Sequence, residues 1–371
     1  MNKILVTGGM GFIGSHTVDA LVAEGHSVVV LDNLEKQVHL GKRPVYLNKK
    51  AKYIVGDVRF QKDWLKALKG VSHVIHMAAC VGIGQSFWES RKYNQTNVVG
   101  TSNLFELLTR DAALRKSVEK VVVASSKSLY GEGAYRCPVH GVMHPMPRSL
   151  EQLRQKDWDV RCSMCGSKTE PVGITEDKPP QNLNPYSLSK YATERLALSY
   201  SSALDIPAVA FRYFNVYGPR QSLSNPYTGV LAIFISRLKN GNKPVVFEDG
   251  KQLRDFIYVG DIARANIAAL EKGEGAYNLG TGRPSSLLQI ISMLNDALGT
   301  NIEPEVTNEF RPGDNRHDFS DSTRFLKAFG PRIFTGLSDG ITELAEWSSR
   351  VKAKDNFTKA EEERRKYMST G

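Results

Sequence analysis

The sequence predicts an α/β fold built on a parallel sheet that carries helices on both faces. Six short runs are almost wholly apolar and end in turns, as strands buried on both faces do. These runs are Lys3–Thr7, Ser27–Leu31, Lys52–Val55, His73–His76, Lys120–Ser125 and Pro207–Phe211. The helical patterns that alternate with them include Ser15–Glu24, Asn97–Arg110 and Pro185–Leu204. Such alternation is typical of a doubly wound sheet.

The turn after the first predicted strand indicates a dinucleotide site. Its sequence, GGMGFIG, places Gly8, Gly11 and Gly14 in the spacing G-x-x-G-x-x-G ahead of a helix. Glycine permits a tight turn and lets backbone N–H groups approach a pyrophosphate, which a helix N-terminus also favours. Asp32 ends the second strand, where a carboxylate binds ribose hydroxyls and repels a 2′-phosphate. We therefore predict a Rossmann-like domain that binds NAD rather than NADP. Asp57, after the third strand, is a candidate for bonding the adenine amine or an ordinary turn residue.

A second group of residues indicates acid–base chemistry. Asn184 and Pro185 begin a helix on which Tyr186 and Lys190 lie one turn apart. An ammonium beside a phenol favours the phenolate and lowers its pKa from about 10. Ser126 follows the fifth predicted strand, and catalytic groups occur at such carboxyl ends. Each feature alone is common, so the prediction of an enzyme depends on their combination with the glycine turn.

Taken together, these motifs resemble the extended short-chain dehydrogenases/reductases of the NAD-dependent epimerase/dehydratase family. The resemblance covers about residues 1–330, apart from one inserted segment. It implies that Ser126, Tyr186 and Lys190 are catalytic, and that two further segments, 76–79 and 97–101, contact the cofactor. The cofactor-binding residues expected from motif and resemblance together are Gly8, Gly11, Phe12, Ile13, Gly14, Asp32, Asn33, Asp57, Val58, Met77, Ala78, Ala79, Asn97, Ser125, Tyr186, Lys190 and Phe214.

The same resemblance implies a smaller C-terminal lobe that binds a nucleotide-diphosphate sugar. The stretches RYFNVYGP (212–219), RDF (254–256) and RPGD (311–314) match the family's substrate-binding elements. Two arginines can clamp a diphosphate, and an aspartate can accept a ribose hydroxyl. The expected substrate-binding residues are Ser126, Asn215, Arg254, Arg311 and Asp314.

The two residues after Ser126 bear on the reaction. Sugar 4,6-dehydratases of the family carry Asp-Glu there, whereas this chain has Lys127 and Ser128. This difference favours a 4-epimerase, in which tightly bound NAD is transiently reduced and then restored. A UDP-hexose 4-epimerase and a nucleotide-4-ketosugar reductase stay open as alternatives.

An inserted segment, 132–175, predicts a structural zinc site. Cys137 and His140 form a C-x-x-H pair, and Cys162 and Cys165 form a C-x-x-C pair, which together supply four tetrahedral ligands. A similar Cys/His knuckle occurs in the subgroup named dTDP-L-rhamnose 4-epimerases. That resemblance favours conversion of dTDP-L-rhamnose to dTDP-6-deoxy-L-talose.

The net charge of +10 leaves a non-catalytic nucleic-acid-binding protein as a second alternative. Basic residues are interspersed with acids, however, and the inserted segment has few aromatics for base stacking beyond Trp158 and Tyr135. We therefore expect no nucleic-acid partner. No apolar run reaches the roughly 20 residues that span a bilayer, and the N-terminus lacks a signal-peptide cleavage site. We expect a cytoplasmic protein with no membrane partner.

The predicted organisation follows from these motifs. The NAD-binding domain takes 1–214 and 250–270, including the knuckle at 132–175. The substrate-binding lobe takes 215–249 and 271–350, and a charged tail with alternating signs takes 351–371. The family resemblance implies a homodimer formed through two helices of each subunit.

Overall fold

The computed structural model describes residues 1–39, 41–227, 229–331 and 334–367. Within these residues, the central sheet consists of seven strands, β1 to β7, which in chain order are Lys3–Thr7, Ser27–Asp32, Lys52–Val55, His73–His76, Lys120–Ser126, Ala208–Tyr213 and Gly275–Leu279. They are all paired in parallel, in the order β7-β6-β5-β4-β1-β2-β3. The predicted fold, a doubly wound parallel sheet, is confirmed.

Helices cover both faces of this sheet because successive strand residues point to opposite sides. Ile4 and Val6 pack with the helices Phe12–Ala23 and Val259–Glu271 on one face, and Leu5 packs against Trp64 and Leu104 on the other. The helices around the sheet are Phe12–Ala23, Lys36–His39, Gln61–Ala67, Ile83–Ser86, Ser90–Tyr93, Gly100–Arg110, Ala112–Ser117, Pro185–Leu204, Val259–Glu271 and Thr323–Phe329, with a π-helical turn at Asn94–Val99.

The strand order reverses between β1 and β4, and this reversal positions the site. β2 follows β1 on one side, whereas β4 pairs with β1 on the other. The loops that leave β1 and β4 therefore diverge and open a crevice at the carboxyl edge of the sheet, where doubly wound folds bind their ligands.

A smaller lobe stands over this crevice. Its four-stranded sheet consists of Asn215–Tyr217, Leu253–Tyr258, Pro284–Ser286 and His317–Asp318, and a two-stranded ribbon pairs Val245–Val246 with Glu305–Val306. Its helices are Val230–Lys239, Leu287–Leu298 and Leu337–Ser349. Their apolar faces enclose a separate core that includes Phe234, Ile291 and Leu344.

Strand pairing divides the chain differently from the predicted ranges. β7, at 275–279, completes the central sheet, although it falls within the range predicted for the lobe. Conversely, Leu253–Tyr258 falls within the predicted NAD-binding range but pairs with Asn215–Tyr217 of the lobe. The chain crosses between the two bodies more often than contiguous ranges allow, because strands distant in sequence pair with one another.

The inserted segment and the described part of the C-terminal tail both contain regular secondary structure. The insertion forms an antiparallel sheet of Ala134–Cys137, Gly141–Met143 and Glu170–Val172, with a helix at Leu150–Arg154. The predicted charged tail contains a helix, Phe357–Tyr367, whose Ala360 is buried. The last four residues of the predicted tail, 368–371, lie outside the described residues.

Candidate active site

A deep cleft of about 1140 Å³ lies between the carboxyl edge of the sheet and the smaller lobe. Most residues predicted for the cofactor and the substrate line this one space. They are Gly8, Gly11, Phe12, Ile13, Gly14, Asp32, Asn33, Val58, Met77, Ala78, Ala79, Ser125, Ser126, Tyr186, Lys190, Phe214, Asn215, Arg254, Arg311 and Asp314.

The glycine turn after β1 has no room for side chains. Gly8 has a φ of +70°, and a Cβ there would lie 2.9 Å from the backbone of Ala78. A Cβ on Gly14 would lie 2.1 Å from the carbonyl oxygen of Gly8. The helix Phe12–Ala23 starts directly after Gly11. Its N-terminal N–H groups therefore face the cleft without shielding, as a pyrophosphate requires.

Asp32 is held in place at the end of β2 by the backbone. Its Oδ2 accepts a hydrogen bond from the Met10 N–H at 3.0 Å, and its Oδ1 accepts one from the Leu34 N–H at 2.9 Å. These bonds connect the carboxylate to the glycine turn itself. The acid and the phosphate-binding turn are thus parts of one rigid unit.

Ser126 and Tyr186 meet at the inner end of the cleft. Ser126 is the last residue of β5, and its hydroxyl lies near the Tyr186 phenol, whose pKa it lowers. Tyr186 lies in the first turn of the helix Pro185–Leu204, which Asn184 and Ser187 cap reciprocally. Lys190 follows one turn later and is buried. The three predicted catalytic residues therefore share one wall of the cleft.

Burial dominates the acid–base properties of this wall. It raises the pKa of Tyr186, against a smaller lowering effect of the nearby Ser126 hydroxyl. Burial also lowers the pKa of Lys190 to about 8. The net shift of the Tyr186 pKa is therefore upward, opposite to the predicted lowering, because desolvation penalises the charged forms of both side chains.

A buried polar network supports the catalytic wall from behind. The Ser125 hydroxyl donates to Glu194 at 2.7 Å, and Glu194 pairs with Arg212 at 2.6 Å. Arg212 in turn donates to the Tyr130 hydroxyl at 2.7 Å, which donates to Asn278. The network joins β5, β6 and β7 to the helix that carries Tyr186, and so fixes their relative positions.

On the lobe side, the Asp318 carboxylate accepts from several donors that line the cleft. Its carboxylate accepts hydrogen bonds from Lys127 at 2.5 Å and Asn315 at 2.6 Å, and it pairs with Arg254 at 3.4 Å. Arg254 also donates to three backbone carbonyls, among them that of Asn315. Arg254 is therefore positioned firmly, with most of its donors engaged within the protein.

Arg311 occupies the outer part of the cleft. Its guanidinium lies 3.9 Å from the centroid of the Phe247 ring and pairs with Glu361 of the tail helix. Asp314, three residues later, belongs to the same loop, and its backbone carbonyl accepts a hydrogen bond from Arg148 of the insertion at 3.1 Å. The predicted diphosphate-binding loop is thus held by two segments that the family motifs do not include.

Comparisons with known proteins agree with this geometry. The sequence model of the NAD dependent epimerase/dehydratase family matches residues 4–149 and 162–280. The chain belongs to this family. A dTDP-L-rhamnose 4-epimerase from Burkholderia thailandensis is 36% identical over 353 residues, which cover 93% of this chain and 94% of the relative.

Solved structures show the same relationship. The crystal structure of UDP-glucose 4-epimerase from Thermotoga maritima, with UDP-glucose, has a TM-score of 0.75 and 28% identity, and the match covers 94% of this chain and 99% of that one. The Thermus thermophilus UDP-glucose 4-epimerase complex with NAD has a TM-score of 0.72 and 31% identity, with 94% and 100% coverage. The predicted membership of the epimerase/dehydratase family is confirmed.

Two residues predicted to contact the cofactor do not line the cleft. The Asp57 carboxylate is engaged by Arg59 at 2.7 Å and by Asn33 at 3.1 Å. The Asn97 side chain bonds to the backbone of Cys80 and to Ser189, which ties the loop after β4 to the helix that carries Tyr186. Neither side chain lines the cleft, and the cofactor contacts of Asp57 and Asn97 stay predictions.

The four predicted metal ligands come together in the insertion. The ligand atoms of Cys137, His140, Cys162 and Cys165 all lie within 4.8 Å of one another. The Cys137 and Cys165 sulfurs are 3.7 Å apart, and the His140 Nδ1 lies 3.6 and 3.5 Å from the Cys137 and Cys162 sulfurs. Tetrahedral bonds of about 2.3 Å to zinc place two sulfurs about 3.8 Å apart. The cluster therefore fits a closed four-ligand site.

Sequence reasoning missed Asp318, Glu361 and Arg364, all of which lie in or against the cleft. Asp318 follows the RPGD segment by four residues, so its proximity to a matched motif was a usable signal. Glu361 and Arg364 lie in a run of alternating charges, and nothing in that run distinguishes them from solvated residues.

Proposed function

We propose that this protein is a nucleotide-sugar 4-epimerase that retains NAD through turnover. The observation that supports this best is that Ser126, Tyr186 and Lys190 line the same cleft as the glycine turn and Arg311. A sugar anchored by its diphosphate near Arg311 would reach the phenol from the lobe side. NAD would approach it from the glycine turn.

NAD, held by the glycine turn and Asp32, would supply the reversible oxidation of the sugar at C4. The protein's own residues handle the proton. Tyr186 accepts the proton of the C4 hydroxyl, with Ser126 orienting or relaying it, and gives it back in the second half of the reaction. Lys190 shares the buried wall, where its charge favours the phenolate during turnover.

The environment of Lys127 supports epimerisation over dehydration. Elimination of water needs a carboxyl group that can give and take a proton next to the sugar. The nearest acid to Lys127 is Asp318, whose pKa is lowered despite the raising effect of burial, because Lys127 and Arg254 stabilise the carboxylate. Asn315 is a further hydrogen-bond donor to Asp318, so this carboxylate is occupied by contacts within the protein.

The proposed substrate is dTDP-L-rhamnose, with dTDP-6-deoxy-L-talose as product. The relative from Burkholderia thailandensis, a dTDP-L-rhamnose 4-epimerase, matches the chain over nearly its whole length. Structural neighbours described with UDP-glucose keep UDP-hexoses as the second candidate class. The nucleotide base and the sugar are therefore the variables that the test must resolve.

The test is incubation of the purified protein with dTDP-L-rhamnose, dTDP-glucose, UDP-glucose and UDP-N-acetylglucosamine, without added cofactor, followed by NMR of the products. We expect the C4 epimer from dTDP-L-rhamnose, with deuterium placed at C4 retained in the product. Oxidation of a sugar at C4 that requires added NAD+ and accumulates NADH would instead identify a ketosugar reductase, which runs in reverse on these sugars. If none of the four sugars changes at C4, the proposal fails.

We further propose that the Cys/His cluster binds one structural zinc ion. Three thiolates and one imidazole would complete the shell, so the ion would hold the insertion together and take no part in catalysis. Metal analysis should give one zinc per chain, which Cys162→Ser removes. Cys80→Ser is the matched control, because Cys80 lies in the cleft and away from the cluster. Folded protein without zinc would refute this proposal.

We also propose a homodimer formed through the segments 96–110 and 186–204. Val99 and Leu188, on these segments, are 45% and 53% exposed. Apolar side chains at neighbouring exposed positions indicate a surface that is covered in the assembly. Leu188→Glu should give monomers in light scattering, whereas Leu65→Glu, at a similarly exposed position on another helix, should not. A monomeric wild-type protein would contradict the proposal.

Among the described residues, no helix is both long enough and apolar enough to cross a bilayer.

A further inference from the structure

The C-terminal helix, Phe357–Tyr367, borders the substrate side of the cleft, although none of the family motifs includes it. The chain before it is fixed to the lobe. Asp355 accepts hydrogen bonds from Asn242 at 2.7 Å and Arg237 at 3.3 Å, and the Arg237 guanidinium lies 4.7 Å from the centroid of the Phe357 ring. The start of the helix is therefore anchored.

The other end of the helix reaches the NAD-binding domain. The Tyr227 phenol donates to Glu363, and the Tyr367 ring stacks on Trp88 with centroids 5.4 Å apart. Trp88 follows the short helix Ile83–Ser86 beside the cofactor part of the cleft. The C-terminal helix thus connects the lobe to the NAD-binding domain beside the cleft.

Between these ends, Glu361 bridges two arginines. Its Oε1 accepts a hydrogen bond from Arg311, and its Oε2 accepts one from Arg364 at 3.1 Å. All three residues line the cleft, and all three side chains are largely buried. Two guanidinium groups on the two oxygens of one anion are also the arrangement by which arginines bind a phosphate group.

We propose that Arg364 is a further diphosphate-binding residue, and that Glu361 occupies, in the free protein, the place of a phosphate group between Arg311 and Arg364. The identity of the ligand as a nucleoside diphosphate rests on the proposed function. When the diphosphate binds, its oxygens take over the two guanidinium groups and Glu361 turns away. The tail helix then contributes Arg364 as one cation of the site, and the loop 311–314 contributes Arg311 as another.

The carboxylate and the diphosphate compete in this arrangement, so the two substitutions have opposite effects. Arg364→Gln removes a charged donor, and charge-assisted hydrogen bonds of this kind change affinity by about tenfold or more. Glu361→Gln leaves a weaker, neutral partner for the arginines and removes the repulsion of an incoming phosphate, so binding tightens by a few-fold.

The experiment measures the Kd of dTDP and of UDP by calorimetry on the full-length protein and its variants. The matched control is Arg365→Gln, because Arg365 is the next residue on the same helix and is exposed. We expect weaker binding for Arg364→Gln, partial recovery for Arg364→Lys, tighter binding for Glu361→Gln and no change for the control. Thymidine, which has no phosphate, should show none of these differences.

Two results would overturn the inference. Arg364→Gln could bind dTDP and UDP as the wild type does while Arg311→Gln binds them weakly, which would leave Arg364 outside the site. Glu361→Gln could bind weakly, which would make the carboxylate a support for Arg311. Neither measurement needs turnover. If the wild-type protein epimerises no sugar but Arg364→Gln loses affinity for dTDP, only the proposed function is refuted. If the wild type epimerises a sugar but Arg364→Gln keeps its affinity for dTDP, only this inference is refuted.

Discussion

The two sides of the cleft are built by different means. On the NAD-binding side, the surface is shaped mainly by the backbone. It consists of glycines that tolerate no Cβ, a helix N-terminus, and an aspartate held by two backbone N–H groups. On the substrate side, charged side chains from four separate segments pair with one another, as Asp318 with Lys127 and Arg254, and Glu361 with Arg311.

This difference has a physical reason. A cofactor that stays bound can be held by a rigid surface, because nothing needs to rearrange between turnovers. A charged substrate that enters and leaves must replace the site's own ion pairs. While the substrate is absent, each of these pairs neutralises a guanidinium group. The cofactor side should therefore respond to steric changes, and the substrate side to changes of charge.

The largest expected effect lies where the two sides meet. Tyr186→Phe removes the proposed acid–base group and should lower kcat by about 10³-fold or more, since general acid–base groups contribute 10²–10⁴-fold. NAD should stay bound, which is checked by the absorbance of the nucleotide released on denaturation. Tyr200→Phe, on the same helix, is the control. Wild-type kcat in Tyr186→Phe would remove the proposed mechanism.

The buried charges beneath the substrate loop give the next test. Arg148, in the insertion, pairs with Glu248 at 2.8 Å and holds the Asp314 carbonyl. Arg148→Gln leaves buried carboxylates short of a partner and should cost about 3 kcal/mol in unfolding free energy. It should also raise KM more than it lowers kcat, because the loop with Arg311 loosens.

The exposed Arg136, on the same insertion, provides the comparison in chemical denaturation and steady-state kinetics. An Arg148→Gln variant whose kcat falls while KM stays constant would show that the insertion does not act through substrate binding.

Lys190 tests the cost of a buried charge on the catalytic wall. Burial lowers its pKa to about 8, from an ordinary value near 10.5. Below pH 8 the folded protein must keep a buried ammonium that the unfolded chain solvates, so Lys190 destabilises the fold there. Between pH 8 and 10.5 the folded state alone has lost the proton, and the penalty declines.

Lys190→Met should therefore stabilise the NAD-free protein at pH 7, by up to about 3 kcal/mol, with a smaller gain at pH 10. Urea denaturation at both values measures this, and Lys50→Met, at an exposed position, should give no such pH-dependent gain. A gain that grows with pH would contradict the assignment.

The last test in this series is steric. The Cβ of Gly14→Ala would press on the backbone of Gly8, which cannot move away, and overpacking of this kind costs about 1–3 kcal/mol. NAD content should fall with the melting temperature. Gly84→Ala is the matched change, since its Cβ would meet nothing nearer than Trp88 at 3.9 Å. If both variants retain NAD equally, the cofactor side is less rigid than described.

Much of the cofactor side could be predicted from the sequence because its determinants are local. The run of Gly8, Gly11 and Gly14, the strand before it and the helix after it are contiguous, and their periodicity and turn chemistry are independent of distant partners. The same holds for Ser126 at a strand end and for Tyr186 and Lys190 on one helix face. The Cys/His pairs are likewise recognisable by spacing alone.

What only the tertiary structure decided are the pairings between segments distant in the chain. β7 pairs within the central sheet, Asn97 bonds to Ser189, Asp57 bonds to Arg59, and Glu361 of the tail pairs with Arg311. The sequence does not distinguish a charged side chain that faces water from one that pairs with another charge. The difference is set by which surfaces fold against each other, and so by the whole chain at once.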